Sequence, residues 1–319
     1  MKAKSLFLFF TAVALLALSW GCGGTAREVS IAVMFRVQYN PYFKIMEQGI
    51  RETAQKHKAK VIILETEEYR DHEKELVFKR LVDYKIKALL VVPENRDRAK
   101  KYLIPIILQA NRLKIPVVFI HGLMEDELIK ESGAKVETVV SCDNSKGGGL
   151  AADYIAKNIG ARGKVLMLEG DSASLSSKLR GGGFMDALAK YPGIELLTAP
   201  HAKWQRDNAF QVTRDVIKNN TDIAAVFAYN DLMILGASDA VQFSRIKRPV
   251  MVGFDGTEEG IKAIKEDRID ATVDQSPYEI GQIGVESVLK VLKGEKVPPR
   301  IYTRTELISR QSLDLPFGH

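Results

Sequence analysis

Cysteine is scarce in this chain. The 319 residues hold two, Cys22 and Cys142, so neither a disulfide framework nor a cysteine-rich metal site can organise the fold. Histidine is nearly as rare, and His57, His72, His121, His201 and His319 fall at no metal-ligand spacing. His72-Glu73 has no second histidine four residues on, so no metal is expected. Long runs of one charge are also missing. The 46 basic and 40 acidic residues are interspersed, and a net charge of +6 then describes a mixed, solvated surface rather than a nucleic-acid-binding one. No segment beyond the N-terminal region is apolar over the about 20 residues that a membrane helix needs. The sequence carries no Walker motif and no helix-turn-helix pattern. A dinucleotide site would need G-x-G-x-x-G directly after the first strand, where Met34-Phe35-Arg36-Val37-Gln38 stands instead. Gly170-Asp171-Ser172-Ala173-Ser174 is one residue short of a nucleophile elbow. No cofactor and no catalytic machinery are therefore expected. With 46% hydrophobic residues, 24 glycines and 11 prolines, the composition is that of a globular protein and excludes a disordered or collagen-like chain.

The N-terminus has its own character. Lys2 and Lys4 precede an apolar stretch from Leu6 to Leu18 that stops at small residues and Cys22, the pattern of a secretion signal. Leu18-Ser19-Trp20-Gly21-Cys22 resembles a bacterial lipoprotein cleavage site, departing from it by placing Leu18 four residues before the cysteine. The resemblance implies a signal peptide over 1–21, a lipidated tether over 22–28 and a lipid on Cys22. Ordinary signal-peptidase cleavage nearby, or a disulfide between Cys22 and Cys142, are the alternatives. Residues 1–21 carry two lysines and no acid, so the basicity of the chain says little about function.

Beyond the tether, apolar runs of strand length alternate with amphipathic segments of helix length. The strand candidates are 29–35, 60–65, 87–92, 116–120, 137–141, 163–169, 194–199, 223–228, 249–254 and 270–274. Helical patterns occupy 41–57, 71–84, 98–113, 145–159, 177–190, 206–219, 231–243, 257–266 and 277–293. Repeated β-α units specify parallel, doubly wound sheets. Ten strands exceed one compact sheet of this size and the pattern restarts after about residue 141, so two α/β lobes are expected. Lys296-Val297-Pro298-Pro299-Arg300 ends the last helix before a final extended stretch, 301–308. Gly147-Gly148-Gly149 and Gly181-Gly182-Gly183 sit within predicted helix starts or interiors, where close helix packing is the expected role.

Ligands of open α/β sheets bind beyond the carboxyl ends of the strands. The residues there are Asn40, Tyr42 and Phe43 after the first strand, His121 after the fourth, then Asn230, Asp255 and Gln275, with Arg180 and Trp204 following two others. Aromatic faces pack on the C–H face of a sugar, while amides, a carboxylate and a guanidinium bind hydroxyls. The stretches Asn40-Pro41-Tyr42-Phe43, Ser141-Cys142-Asp143-Asn144, Arg180-Gly181-Gly182-Gly183-Phe184, Phe227-Ala228-Tyr229-Asn230-Asp231, Gly253-Phe254-Asp255-Gly256-Thr257 and Gln275-Ser276-Pro277 together resemble the periplasmic sugar-binding proteins of the ribose-binding type.

That resemblance implies a type I periplasmic binding protein fold, with two doubly wound parallel-sheet lobes joined by three hinge strands and closing on the ligand. The N-terminal lobe would comprise 29–141 plus 276–303 and the C-terminal lobe 142–275 plus 304–319. It further implies a monomeric, extracytoplasmic protein, anchored to a membrane only by its lipid, that hands a carbohydrate-like ligand to an ABC permease. A chemoreceptor or sensor kinase is the alternative partner, and a carbohydrate enzyme would need a second site carboxylate beside Asp255. The family's ligand residues fall on Asn40, Tyr42, Phe43, Arg180, Trp204, Asn230, Asp255 and Gln275. Where the ribose-type pattern has an Asp-Arg pair, this chain has His121-Gly122, which puts ribose itself in question. Each residue also has a purely structural reading. Asn40 and Asn230 could cap the helices that follow them, Tyr42 and Phe43 could staple a helix to the core, and Arg180 could pair with an acid such as Asp186. Trp204 could pack on a lobe surface, Asp255 could cap a helix, and Gln275 could satisfy hinge backbone.

Overall fold

The structure is a computed structural model that describes residues 28–36, 40–66, 71–93 and 95–314. Cys22, the expected signal peptide and nearly all of the tether lie outside the described residues, as does the stretch 315–319. Six strands build a first sheet: β1 (Val29–Arg36), β2 (Ala59–Thr66), β3 (Ala88–Val91), β4 (Val117–Ile120), β5 (Thr138–Ser141) and, from far along the chain, β11 (Arg300–Tyr302). A second sheet contains β6 (Arg162–Leu168), β7 (Gly193–Thr198), β8 (Ile223–Ala228), β9 (Val250–Asp255), β10 (Ala271–Asp274) and β12 (Glu306–Ser309). The orders are β11-β5-β4-β3-β1-β2 and β12-β10-β9-β8-β6-β7. All pairings are parallel except that of β10 with β12. Each sheet therefore reverses its winding direction once, beside β1 and beside β6, and such reversal points open the crevice in which ligands of these sheets bind.

The strands read as continuous apolar runs because helices cover both faces of each sheet. Ile31 and Val33 enter one core cluster while Ala32 and Met34 enter another on the opposite face, and all four are wholly buried. The helix Pro41–Lys56 follows β1; Asn40 caps it, proline opens it, and Tyr42, Phe43, Met46, Ile50 and Ala54 form its buried stripe. The expected role of the glycine triplets is met where helices Asn144–Asn158 and Leu175–Leu188 cross. A Cβ on Gly148 would strike the Arg180 carbonyl, and one on Gly183 the Ser145 carbonyl.

The chain crosses between the sheets three times, at Cys142–Asp143, Gln275–Ser276 and Thr303–Thr305. The crossings are tied together. Thr303 N donates to Ser141 O (3.0 Å), and Asp143 N donates to Thr305 Oγ1 (3.1 Å). Thr303 Oγ1 donates to Gln275 O (3.0 Å) and Ser276 Oγ to Arg304 O (3.1 Å).

Two local features depart from the pattern read in the sequence. The helix predicted over 98–113 begins at Arg96 and passes through a π turn, Ala99–Leu103, before continuing as Ile104–Arg112. Pro105 has no N–H for the α pattern and its ring crowds the preceding turn, so the wider turn accommodates it. A short helix, Asp126–Ser132, ends on Gly133 at φ 70°. The extended stretch 301–308 is divided between β11 and β12, which join different sheets.

Candidate functional site

Asp255 ends β9 with φ at 128°, a backbone conformation rare for a residue with a side chain. Its carboxylate is 4% exposed and stands between the two sheets. Asn40 Nδ2 donates to Oδ2 (3.0 Å) from the first lobe, and Gln275 Nε2 donates to Oδ1 (2.5 Å) from a crossing strand. Asn40 thus serves twice, because its Oδ1 accepts from Tyr42 N (3.0 Å) as the helix cap. Burial lifts Asp255 to about 6, against the lowering pull of Arg180, Asn40 and Gln275.

Arg180 is 2% exposed and makes no pair with Asp186. Its Nε and Nη2 both donate to Asn144 Oδ1 (3.2 and 2.7 Å), and Nη1 donates to the Tyr229 carbonyl. The guanidinium carbon lies 3.5 Å from the Phe254 ring centre and 5.7 Å from that of Trp204, so aromatic faces help to offset the desolvation of its charge. Burial lowers the Arg180 pKa from its ordinary value, and Asp255 works in the opposite direction. Trp204 is only partly buried. Its backbone sits at φ 66° and its indole lies where a Cβ on Gly170 would be, so that glycine admits the ring.

In the first lobe Tyr42, Phe43 and His121 form an aromatic group. The His121 ring centre lies 4.6 Å from that of Tyr42 and 5.4 Å from that of Phe43. Tyr42 Oη and His121 Nδ1 are buried without a hydrogen-bond partner. Burial and the neighbouring Arg180 push the His121 pKa down to about 3, so the ring is a neutral imidazole across the physiological range. Tyr42 and Phe43 also belong to the core, so their structural reading holds alongside any contact they make with ligand.

Asn230 has its structural role as well. Its Oδ1 accepts from Met233 N (2.9 Å), capping helix Asp231–Ser244, and its Nδ2 donates to Trp204 O (3.2 Å). Asp231 does not share the cap. Its wholly buried carboxylate accepts from Thr257 N, Thr257 Oγ1 and Thr272 Oγ1 (2.8, 2.8 and 2.6 Å). Burial and the nearby Asp255 raise its pKa.

The sequence reading missed Asn144, Cys142, Tyr229 and Phe254 as parts of the site. All four lie in stretches that carried the family resemblance, and residue type alone did not single them out. Cys142 is a free, buried thiol whose Sγ donates to Gln275 Oε1 (3.0 Å). Burial pushes its pKa up to about 12. Among the described residues no group of three or more His, Cys, Asp or Glu could hold a metal ion. Nor is any helix among them long and apolar enough to cross a membrane.

Two doubly wound sheets joined by three crossings, with polar side chains of both converging between them, define a two-lobed binding protein. A family model described as a periplasmic binding protein domain matches residues 31–296, and the chain belongs to that family. It is 33% identical over 302 residues to the ribose import binding protein of Haemophilus influenzae, covering 94% of this chain and 97% of the relative. It is 32% identical over 278 residues to the ribose import binding protein of Bacillus subtilis, covering 87% and 86%. A solved ABC transporter solute-binding protein from Actinobacillus succinogenes with bound D-allose has a TM-score of 0.82 at 28% identity, covering 89% of this chain and 98% of that one.

Proposed function

We propose that this protein is an extracytoplasmic binding protein that captures a neutral sugar between its lobes and delivers it to an ABC permease. The observation that carries the reading is the convergence on Asp255 of Asn40 from one lobe and Gln275 from a crossing strand, with Arg180 buried nearby. Carboxylate, amides and guanidinium bind hydroxyls, and Trp204, Tyr42 and Phe43 supply faces for a pyranose or furanose ring. The ribose import binding proteins and the D-allose complex among its relatives support a sugar of this size. Binding rather than catalysis is the activity those relatives carry. The ligand set is Asn40, Tyr42, Phe43, His121, Arg180, Trp204, Asn230, Asp255 and Gln275.

The rest of the reading follows from this core. The lobes are 29–141 plus 276–303 and 142–275 plus 304–319, and the three crossings form the hinge, in which a few residues absorb the rotation. The protein acts as a monomer held at a membrane by lipid on Cys22. A thermal-shift screen of the mature protein against D-ribose, D-allose, other pentoses and hexoses, polyols and sugar acids tests the ligand class. Ligand at 100 times its Kd adds about 2.7 kcal/mol of stability. No shift with any neutral sugar would overturn the reading.

A further inference from the structure

Gln275 is wholly buried and its amide is engaged at both ends, Nε2 donating to Asp255 Oδ1 (2.5 Å) and Oε1 accepting from Cys142 Sγ (3.0 Å). Its backbone carbonyl accepts from Thr303 Oγ1 (3.0 Å). The three residues around it thus come from three places: the first crossing, the third crossing and the end of β9. A glutamine amide has two orientations related by a flip. In one, NH2 faces the Asp255 carboxylate; in the other, the amide oxygen faces it and two acceptors oppose each other. A donor on the far side selects the first orientation. Cys142 is that donor, since the buried thiol has no exposed face and keeps its proton.

We propose that Cys142 is a positioning residue for the sugar site: from the first crossing it holds the Gln275 amide so that NH2 points to Asp255, which ties the geometry of the hinge to that of the ligand carboxylate. The proposal rests on the sugar-binding reading above and adds a residue outside the ligand set. If hinge rotation separates Cys142 from Gln275, the amide is released at the moment the lobes part. A closed hinge and a correctly turned amide then occur together.

Calorimetric titration with D-ribose and D-allose, applied to Cys142→Ala, Cys142→Ser, Gln275→Met and the Cys142→Ala/Gln275→Met double variant, tests the role. One hydrogen bond of this kind corresponds to about a three- to tenfold change in affinity. Cys142→Ala is expected to weaken binding by that factor, Cys142→Ser to restore it because the hydroxyl donates to the same oxygen, and the double variant to bind no worse than Gln275→Met alone. Three results would each overturn the proposal: full affinity in Cys142→Ala, no rescue by serine, or an equal loss from Cys142→Ala in the Gln275→Met background, which would mark a packing role. Should an alanine variant fail to fold, infrared spectroscopy of the S–H stretch in a Cys22→Ser background reads the same bond directly. A band shifted to low frequency that relaxes in Gln275→Met supports the proposal, and a band indifferent to Gln275→Met refutes it. Absence of sugar binding by the unsubstituted protein would instead bring down the sugar-binding reading, and is thereby told apart from failure of the positioning role.

Discussion

Asp255→Asn exchanges one carboxylate oxygen for an amide NH2 at nearly constant size, so its effects are electrostatic rather than steric. Both oxygens are acceptors now, one for Asn40 Nδ2 and one for Gln275 Nε2. Either orientation of the new amide therefore sets a donor against a donor, unless Gln275 flips and gives up its bond to Cys142 or Asn40 flips and gives up the helix cap. Arg180, buried in the same site, loses a carboxylate that helps to offset its charge. A hydrogen bond to a charged group contributes about 1.5–3 kcal/mol, and 1.4 kcal/mol is a factor of ten, so a loss of about ten- to hundredfold in affinity is expected at pH 7.5. The wild-type protein carries its own version of this perturbation. Sugar hydroxyls donating into the carboxylate favour its ionised form, whereas burial holds the Asp255 pKa at about 6. Affinity is thus full at neutral pH and above, and is lost as pH falls through the raised Asp255 pKa and the carboxylate takes up a proton. Neutral His121, held near 3, adds nothing to the profile in this window. Calorimetric titration at pH 5, 6 and 7.5 should give a sloping profile for the wild type and a nearly flat one for Asp255→Asn. Equal affinity of the two proteins at pH 7.5, or a wild-type Kd that does not change between pH 7.5 and 5, would refute the assignment of Asp255 as an ionised ligand group.

Asp231→Ala leaves Thr257 N, Thr257 Oγ1 and Thr272 Oγ1 without their acceptor, and urea unfolding should show a stability loss of about 2–4 kcal/mol with affinity at pH 7.5 nearly unchanged; a loss below about 1 kcal/mol would reduce Asp231 to a helix-end residue. Trp204→Ala removes the ring that lies over Gly170 and beside Arg180, and titration should register about a tenfold weaker complex, with an unchanged Kd placing the indole outside the ligand site. Small-angle scattering should record a smaller radius of gyration at saturating sugar, and an unchanged value would argue against closure about the three crossings. Cys22→Ser should move the protein from the membrane to the soluble fraction after lysis, and a wild-type protein already soluble would remove the lipid anchor.

Much of the architecture was legible because the strands are continuous runs of Val, Ile, Leu and Ala between helices with clear apolar stripes. Ile31–Met34 and Ala88–Val91 read as buried strands from composition alone, and the restart after residue 141 announced the second sheet. The short helix Asp126–Ser132 gave no such signal, since Leu128 is its one buried residue and one residue has no period. The division of 301–308 between the lobes came from the family resemblance and not from residue pattern. Extended backbone looks alike in sequence whichever sheet it joins, and the pairing partners of β11 and β12 are remote in the chain.

At the site, residues at strand ends were visible by position, but their partners were not. Asn230 and Asp231 are adjacent and equally suited to capping a helix; only the packing of Thr257 and Thr272 around one carboxylate separates a cap from a buried network. Arg180 looked able to reach a surface acid, yet the glycines of its helix let that helix sink against its neighbour and take the guanidinium with it. The bond from Cys142 to Gln275 spans 133 residues, and no local pattern encodes it.

The late strands β11 and β12 have a consequence for how the polypeptide matures. The first sheet gains its edge from residues 300–302, together with the helix Pro277–Leu292 against its face, and the second gains its edge from residues 306–309. Neither half is a contiguous stretch, so a growing chain cannot finish one half and set it aside while the other is made. Such pairings across most of the chain's length raise the loop-closure entropy that must be overcome before they form, which slows folding. For a polypeptide proposed to leave the cytoplasm, that delay keeps the emerging chain in a threadable state until its final residues are available.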